Sequence, residues 1–207
     1  MFNQPFTLSQ VRPIRDAMTV SRPAQLGREV PVTWFSLGAG TSITPESYDC
    51  TTLYLSGEGT GDFILGEDGR SVPVHPGQLL AAPPKTLCGT RTDSGMIYTE
   101  IILKEENYTM NSIIKAGQPT ELKSLISYEE GSIANLDLVR ADNMKFVLMA
   151  FDEGTGLTPH RAPGNAILTA LEGKAIIGYE GKDYELNAGE SFRFDKNGLH
   201  SVTPQGK

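Results

Sequence analysis

The stretch from Gly154 to His200 limits the fold of this chain more than any other. An apolar run from Ala166 to Leu171 is closed by Glu172-Gly173, and a second strand-like run ends in the turn Tyr179-Glu180-Gly181-Lys182. Tyr184 and Leu186 then alternate with polar residues up to the turn at Ala188-Gly189. Phe192 and Phe194 alternate again before the polar turn Asp195 to Gly198, which delivers His200. Period-two alternation cut by glycine turns predicts short antiparallel strands. His160 follows the Gly154 turn, so two of the three histidines stand at the two ends of one meander. A histidine at each end of such a meander is expected to meet its partner across a barrel.

These residues resemble the two motifs of the cupin family. The first motif is Gly, five residues, His-x-His, three or four residues, Glu, six residues, Gly. Here Gly154 comes first, His160 takes the first His place, Ala162 the second, Ala166 the Glu place and Gly173 the last. The second motif is Gly, five residues, Pro-x-Gly, two residues, His, and here it reads Gly189, Asp195, Asn197 and His200. The spacing is kept, but two of the four ligand places hold alanine. The run His160-Arg161-Ala162-Pro163 also resembles a subgroup of small bacterial cupins, in which an acidic residue often stands where this chain has Asn165.

The same pattern occurs earlier. Gly40, Thr41, Thr44 and Pro45 fall over Gly154, Thr155, Thr158 and Pro159, and the match runs without a gap to Glu58-Gly59 over Glu172-Gly173. A two-residue insertion near Gly66 to Asp68 then sets Gly69 over Gly181, Gly77 over Gly189 and Cys88 over His200. Equal spacing over some fifty residues reads as an internal duplication. Together with the resemblance it implies an all-β bicupin: two tandem double-stranded β-helix (jelly-roll) barrels, with under a tenth of the residues helical. The expected boundaries are an N-terminal arm at 1–28, a first barrel at 29–116 and a second at 117–207. The arm should be irregular, with a strand near Gln10 to Ile14. Glu105 to Ala116 has a weak helical pattern, and Thr120 caps a short helical turn at Glu121 to Leu125. The second copy stops soon after His200, where the first continues through Met96 to Leu103. The last strand of the second barrel is therefore expected to be absent, leaving an edge for a homodimer partner or another element to cover.

In the first copy Glu46, Tyr48, Thr52 and Cys88 stand in the four ligand places. Glu46 and Cys88 are expected to approach each other inside the barrel, in a lapsed site filled by side chains and without metal. Cys88 reads as a small buried hydrophobe, and His75, beside Pro76-Gly77, as a surface turn residue. Gly57, Gly59 and Gly61 form a strand-to-strand turn: the spacing of a phosphate loop and its following helix are both missing.

Charge excludes some partners. The formal charge of the 207 residues is −7 and no Lys/Arg block is present, which argues against nucleic acid and anionic membranes. No apolar run approaches a membrane span and no signal peptide is evident, so a cytoplasmic location is expected. Two cysteines are too few for a disulfide framework.

Two functional classes remain. One is a small-molecule binding module, with His160 and His200 as anchors and Asn165, Phe192 and Phe194 lining the pocket. The other is implied by the resemblance: a metal-dependent cupin enzyme of the dioxygenase or isomerase type, using Fe, Mn, Ni or Zn on His160 and His200. The missing carboxylate weighs against the second. No catalytic residue, substrate or specific metal can be named from the sequence, and a site without metal stays open.

Overall fold

The computed structural model describes residues 3–27, 30–104 and 107–206. Among them helix is limited to one turn, α1 (Leu8–Val11), and a 3-10 turn at Leu122–Leu125. No helix among the described residues is long and apolar enough to cross a membrane. The chain forms two compact units.

The first unit comprises Leu8–Leu122 and Asp137–Phe146. Its strands are β1 (Thr19–Pro23), β2 (Val32–Leu37), β3 (Thr41–Glu46), β4 (Thr51–Gly59), β5 (Gly61–Leu65), β6 (Arg70–Val74), β7 (Gln78–Ala82), β8 (Cys88–Thr92), β9 (Met96–Leu103), β10 (Tyr108–Met110) and β11 (Thr120–Glu121). Two sheets, β1-β2-β9-β4-β7-β11 and β3-β8-β5-β6, supply the residues of one core. Leu37, Tyr54, Leu80 and Tyr98 come from the first sheet, and Phe63, Leu65, Val72 and Cys88 from the second. Alternation decides which residues reach it: on β9, Met96 and Tyr98 point inward, and Glu100 follows two residues later on the same face. Burying each of the large apolar side chains contributes about 1.5–3 kcal/mol. At Gly59 the backbone has φ +71°, and a Cβ there would run into the Gly95 carbonyl, so the crossing of β4 and β9 depends on this glycine.

The second unit comprises Met1–Thr7, Lys123–Leu136 and Val147–Lys207. Strands β12 (Ile133–Ala141) and β13 (Met144–Phe151) are neighbours in one sheet, and their Asp137–Phe146 portion counts with the first unit. The remaining strands are β14 (Leu157–Arg161), β15 (Ala166–Thr169), β16 (Lys174–Tyr179), β17 (Lys182–Asn187), β18 (Ser191–Phe194) and β19 (Leu199–Pro204). They form the sheets β14-β19-β16-β17 and β15-β18 around a core that includes Ile177, Leu186, Phe192 and Val202.

The units share strand order and register. The sheet β14-β19-β16-β17 has the order of β3-β8-β5-β6. On β3 and β8, Ile43 pairs with Thr90, the register shifts, and Glu46 pairs with Cys88. On β14 and β19, Leu157 pairs with Val202, the register shifts, and His160 pairs with His200. Thr52↔Ala82 on β4 and β7 has its counterpart in Ala166↔Phe194 on β15 and β18. The turn glycines match too: Gly77 and Gly189 have φ +85° and +84°, a region that favours glycine.

One strand has no counterpart. In the first unit β9 lies between β2 and β4. In the second, β15 pairs with β18, and no strand among the described residues lies on its other side. The outer edge of β18 is met by Phe6, whose N–H donates to the Ser191 carbonyl while its own carbonyl accepts from Ser191 N–H.

Three local expectations change. The segment expected as a strand near Gln10 to Ile14 begins instead in α1, where Ser9 N–H donates to Glu58 Oε1 at 2.8 Å; a free N–H of the helix start finds its acceptor there. The arm is not irregular throughout, because Thr19–Pro23 pairs with Thr33–Leu37 along β2. The helical pattern after Glu105 gives way to β10, which pairs with β12, and to a turn in which Asn111 Oδ1 accepts from Ile113 N–H. An asparagine side chain bonding its own backbone two residues on competes with helix. Residues 1, 2, 28, 105 and 106 of these expectations lie outside the described residues.

Candidate functional site

In the second unit the ladder of β14 and β19 sets His160 opposite His200, with ring centroids 4.3 Å apart and planes inclined at 54°. His200 is buried and His160 exposed, so the pair runs from the interior to solvent. Each Nδ1 meets the carbonyl two residues back: His160 with Thr158 O at 2.8 Å, His200 with Gly198 O at 2.9 Å. A carbonyl only accepts, so Nδ1 is the donor in both contacts, and in the neutral form of such a ring the lone pair is on Nε2. Phe194 holds the buried ring from behind, stacked on His200 at 4.2 Å.

The other pocket residues foreseen in the sequence fall differently. Phe192 is fully buried and packs on Tyr179, Tyr184 and Phe194. Asn165 is exposed, and its Oδ1 accepts from Lys196 N–H at 2.8 Å. Its oxygen is spent on holding the turn before β19. Glu180, on the turn after β16, is engaged as well. Its Oε1 accepts from Leu199 N–H at 2.6 Å and from Arg161, whose guanidinium also donates to the Asn197 carbonyl. Sequence reasoning missed this Arg161–Glu180 clamp, although Arg161 follows His160 directly.

The donor set is therefore two imidazoles. Among the described residues no group of three or more His, Cys, Asp or Glu could hold a metal ion. Ala162 and Ala166 offer no ligand atom, and Asn165 and Glu180 are committed elsewhere. These side chains fit a guest held by two ring nitrogens. They do not supply the three or four protein ligands of a resident catalytic or structural zinc.

In the first unit Glu46, Tyr48 and Cys88 come together on one cavity of about 40 Å³. Thr52 is buried in β4 and is not among the cavity-lining residues. Glu46 is exposed at the mouth, while Cys88 and Glu100 are buried. Glu100 went unnoticed in the sequence because it sits inside the apolar run Met96 to Leu103. Its place two residues after Tyr98 was the available signal. Burial, reinforced by the Glu46 charge, pushes its carboxyl up to about 7, against the opposing effect of a hydrogen bond from Tyr48. Burial raises the Tyr48 phenol to about 12 and the Cys88 thiol to about 11, so Cys88 is a thiol at neutral pH and a poor nucleophile. His75 is exposed in its turn.

Comparison with known proteins agrees with this architecture. The Cupin domain model matches residues 147–207, and no curated protein matches the chain. A Cupin 2 conserved barrel domain protein from Leptotrichia buccalis superposes with a TM-score of 0.84 at 22% identity, covering 98% of this chain and 91% of the other. A salicylate 1,2-dioxygenase from Pseudaminobacter salicylatoxidans superposes at 0.67 with 11% identity, covering 98% of this chain and 80% of that one. At such identities the likeness is one of fold. This is a cupin-fold protein, and the stretch 147–207 matches the Cupin domain model.

Proposed function

We propose that the chain is a two-barrel small-molecule-binding protein. In this reading residues 29–116 and 117–207 are the two copies of a duplicated barrel, and the second takes its guest on Nε2 of His160 and His200. The carrying observation is the pair of carbonyl-bound Nδ1 atoms, which leaves two acceptor nitrogens presented side by side. The guest is either a polar small molecule that donates hydrogen bonds, or a weakly held divalent metal (Fe, Mn, Ni or Zn) whose other positions carry water or an organic acid. The shared registers and the matching turn glycines support the duplication.

Elemental analysis of protein purified without chelator, joined to calorimetric titration with zinc and nickel, tests the site. Metal below stoichiometry and a weak response that disappears on replacing both histidines is the expected result. An unchanged response in the double variant would remove the site.

The second reading is a metal-dependent enzyme of the dioxygenase or isomerase type. What favours it is the fold shared with the salicylate 1,2-dioxygenase over nearly the whole chain. Among the described residues no carboxylate joins the two histidines in a metal-holding group, and this counts against it. A tightly bound stoichiometric transition metal would reverse that preference. A cytoplasmic location and a homodimer complete the proposal.

A further inference from the structure

The first unit has a cavity with an unusual combination of walls. Glu100 forms a buried acidic wall and Glu46 an acidic rim. Aromatic rings enclose the rest: Phe35 and Tyr98 stack at 5.1 Å, and Tyr54 stands edge-on to Tyr98 at 6.0 Å. Two carboxylates in one small volume repel anions. Three observations argue against a metal ion. Among the described residues no three ligating groups converge, the Cys88 thiol keeps its proton, and the Glu100 carboxyl is already shared with Tyr48.

A separate observation calls for a polar guest, since a threonine hydroxyl can give or accept a hydrogen bond. The Thr90 hydroxyl, 3% exposed, lines the cavity. It lies near the Tyr98 phenol but makes no hydrogen bond of regular geometry. A buried hydroxyl left unpaired costs about 1–3 kcal/mol, so a site of this kind is completed by a polar occupant. The volume, about 40 Å³, exceeds the ~10–15 Å³ that one water needs, and it opens beside the exposed Glu46. It suits a compact head group whose tail leaves through the mouth.

We propose that this cavity binds a small organic ammonium ion, whose N–H groups are taken by Glu100, Glu46 and the Thr90 hydroxyl and whose carbon atoms lie against the Phe35, Tyr54 and Tyr98 rings. The ring faces carry negative potential and attract a cation within about 6 Å. The carboxylates supply charge-assisted acceptors. This site is independent of the histidine pair.

Binding is linked to pH through Glu100. The groups that face it are Glu46 at the end of β3, Tyr48 beyond it, Tyr54 on β4, Cys88 on β8 and Tyr98 on its own strand. Of these, Glu46 disfavours the ionised form of Glu100, and Tyr48 favours it through a hydrogen bond. An ammonium guest requires the carboxylate, so affinity rises as pH passes upward through about 7 and binding below that pH releases a proton.

The test is calorimetric titration of the full chain with ethylammonium chloride at pH 8 and pH 6, with sodium acetate and magnesium chloride as controls. Saturable binding is expected, about tenfold tighter at pH 8. Glu100→Gln should cut affinity roughly tenfold or more and abolish the pH dependence. Glu46→Gln, at an exposed position where folding is not at stake, should weaken binding by a smaller factor and keep a pH dependence whose midpoint lies lower, because the Glu46 charge helps to raise Glu100. If Glu100→Gln does not fold, the Glu46 variant and the wild-type pH dependence decide. Absence of saturable ethylammonium binding at pH 8, an equal response to acetate or to magnesium, or wild-type affinity in the variants that fold would each overturn the proposal.

Discussion

Cys88 is the cross-strand partner of Glu46, directly after a register shift in β3. His160 and His200 meet after the same shift in β14. A bulge of this kind re-aims the side chain that follows it. Both units thus use the same backbone device to bring one residue of a β-strand against the last residue of a meander. What differs is chemistry. One pair gives two imidazole lone pairs. The other gives a carboxylate and a protonated thiol, backed by Glu100.

Replacing His160 or His200 singly with Ala should weaken the zinc or nickel response by roughly tenfold or more, and the double replacement should abolish it. Far-UV and near-UV circular dichroism should stay as in the wild type, since neither imidazole forms the β14–β19 ladder. A loss of tertiary signal in His160→Ala, the exposed member, would contradict this assignment.

Glu100 makes stability depend on pH in a definite direction. Its folded-state carboxyl is raised from the ordinary 4.5 to about 7, so the native state holds a proton that the unfolded state has released. Stability from this group is therefore highest below the unfolded value and falls as pH rises from about 4.5 to about 7. After allowance for solvent at the cavity mouth the loss is on the order of 2 kcal/mol. Urea unfolding of wild type and Glu100→Gln at pH 5 and pH 8 measures it: the difference between the two proteins should grow with pH in favour of the glutamine variant.

Phe192 is fully buried and touches three other rings of the second unit. Phe192→Ala should cost about 3–5 kcal/mol, the usual range for a core aromatic. The transition assigned to the second unit should move to lower urea. A change under ~1 kcal/mol would mean that this core repacks freely.

The open side of β15 presents backbone groups without a strand partner among the described residues. We expect a homodimer in solution, because an open edge invites pairing with another chain and symmetric dimers are the commonest oligomers. Sedimentation equilibrium should give twice the chain mass. A clean monomer whose β15 amides exchange rapidly with deuterium would count against it.

Much of the fold was legible in the residues. The alternation from Gly154 to His200 and the glycines at 40, 77, 154 and 189 mark strands and left-handed turns, because both signals are local: a side chain's face and a residue's φ depend on its near neighbours. The same spacing in two places carried the shared register of the units. Tertiary structure alone decided the chemistry of the sites. That Asn165 serves a turn amide, that Glu180 is held by Arg161, and that Glu100 and Thr90 face Glu46 across one cavity all depend on which strands pair and at what register. Those contacts join residues 19 or more positions apart. No local pattern encodes them, because the partner of a polar atom is set by how the sheets close around the core rather than by the sequence beside it.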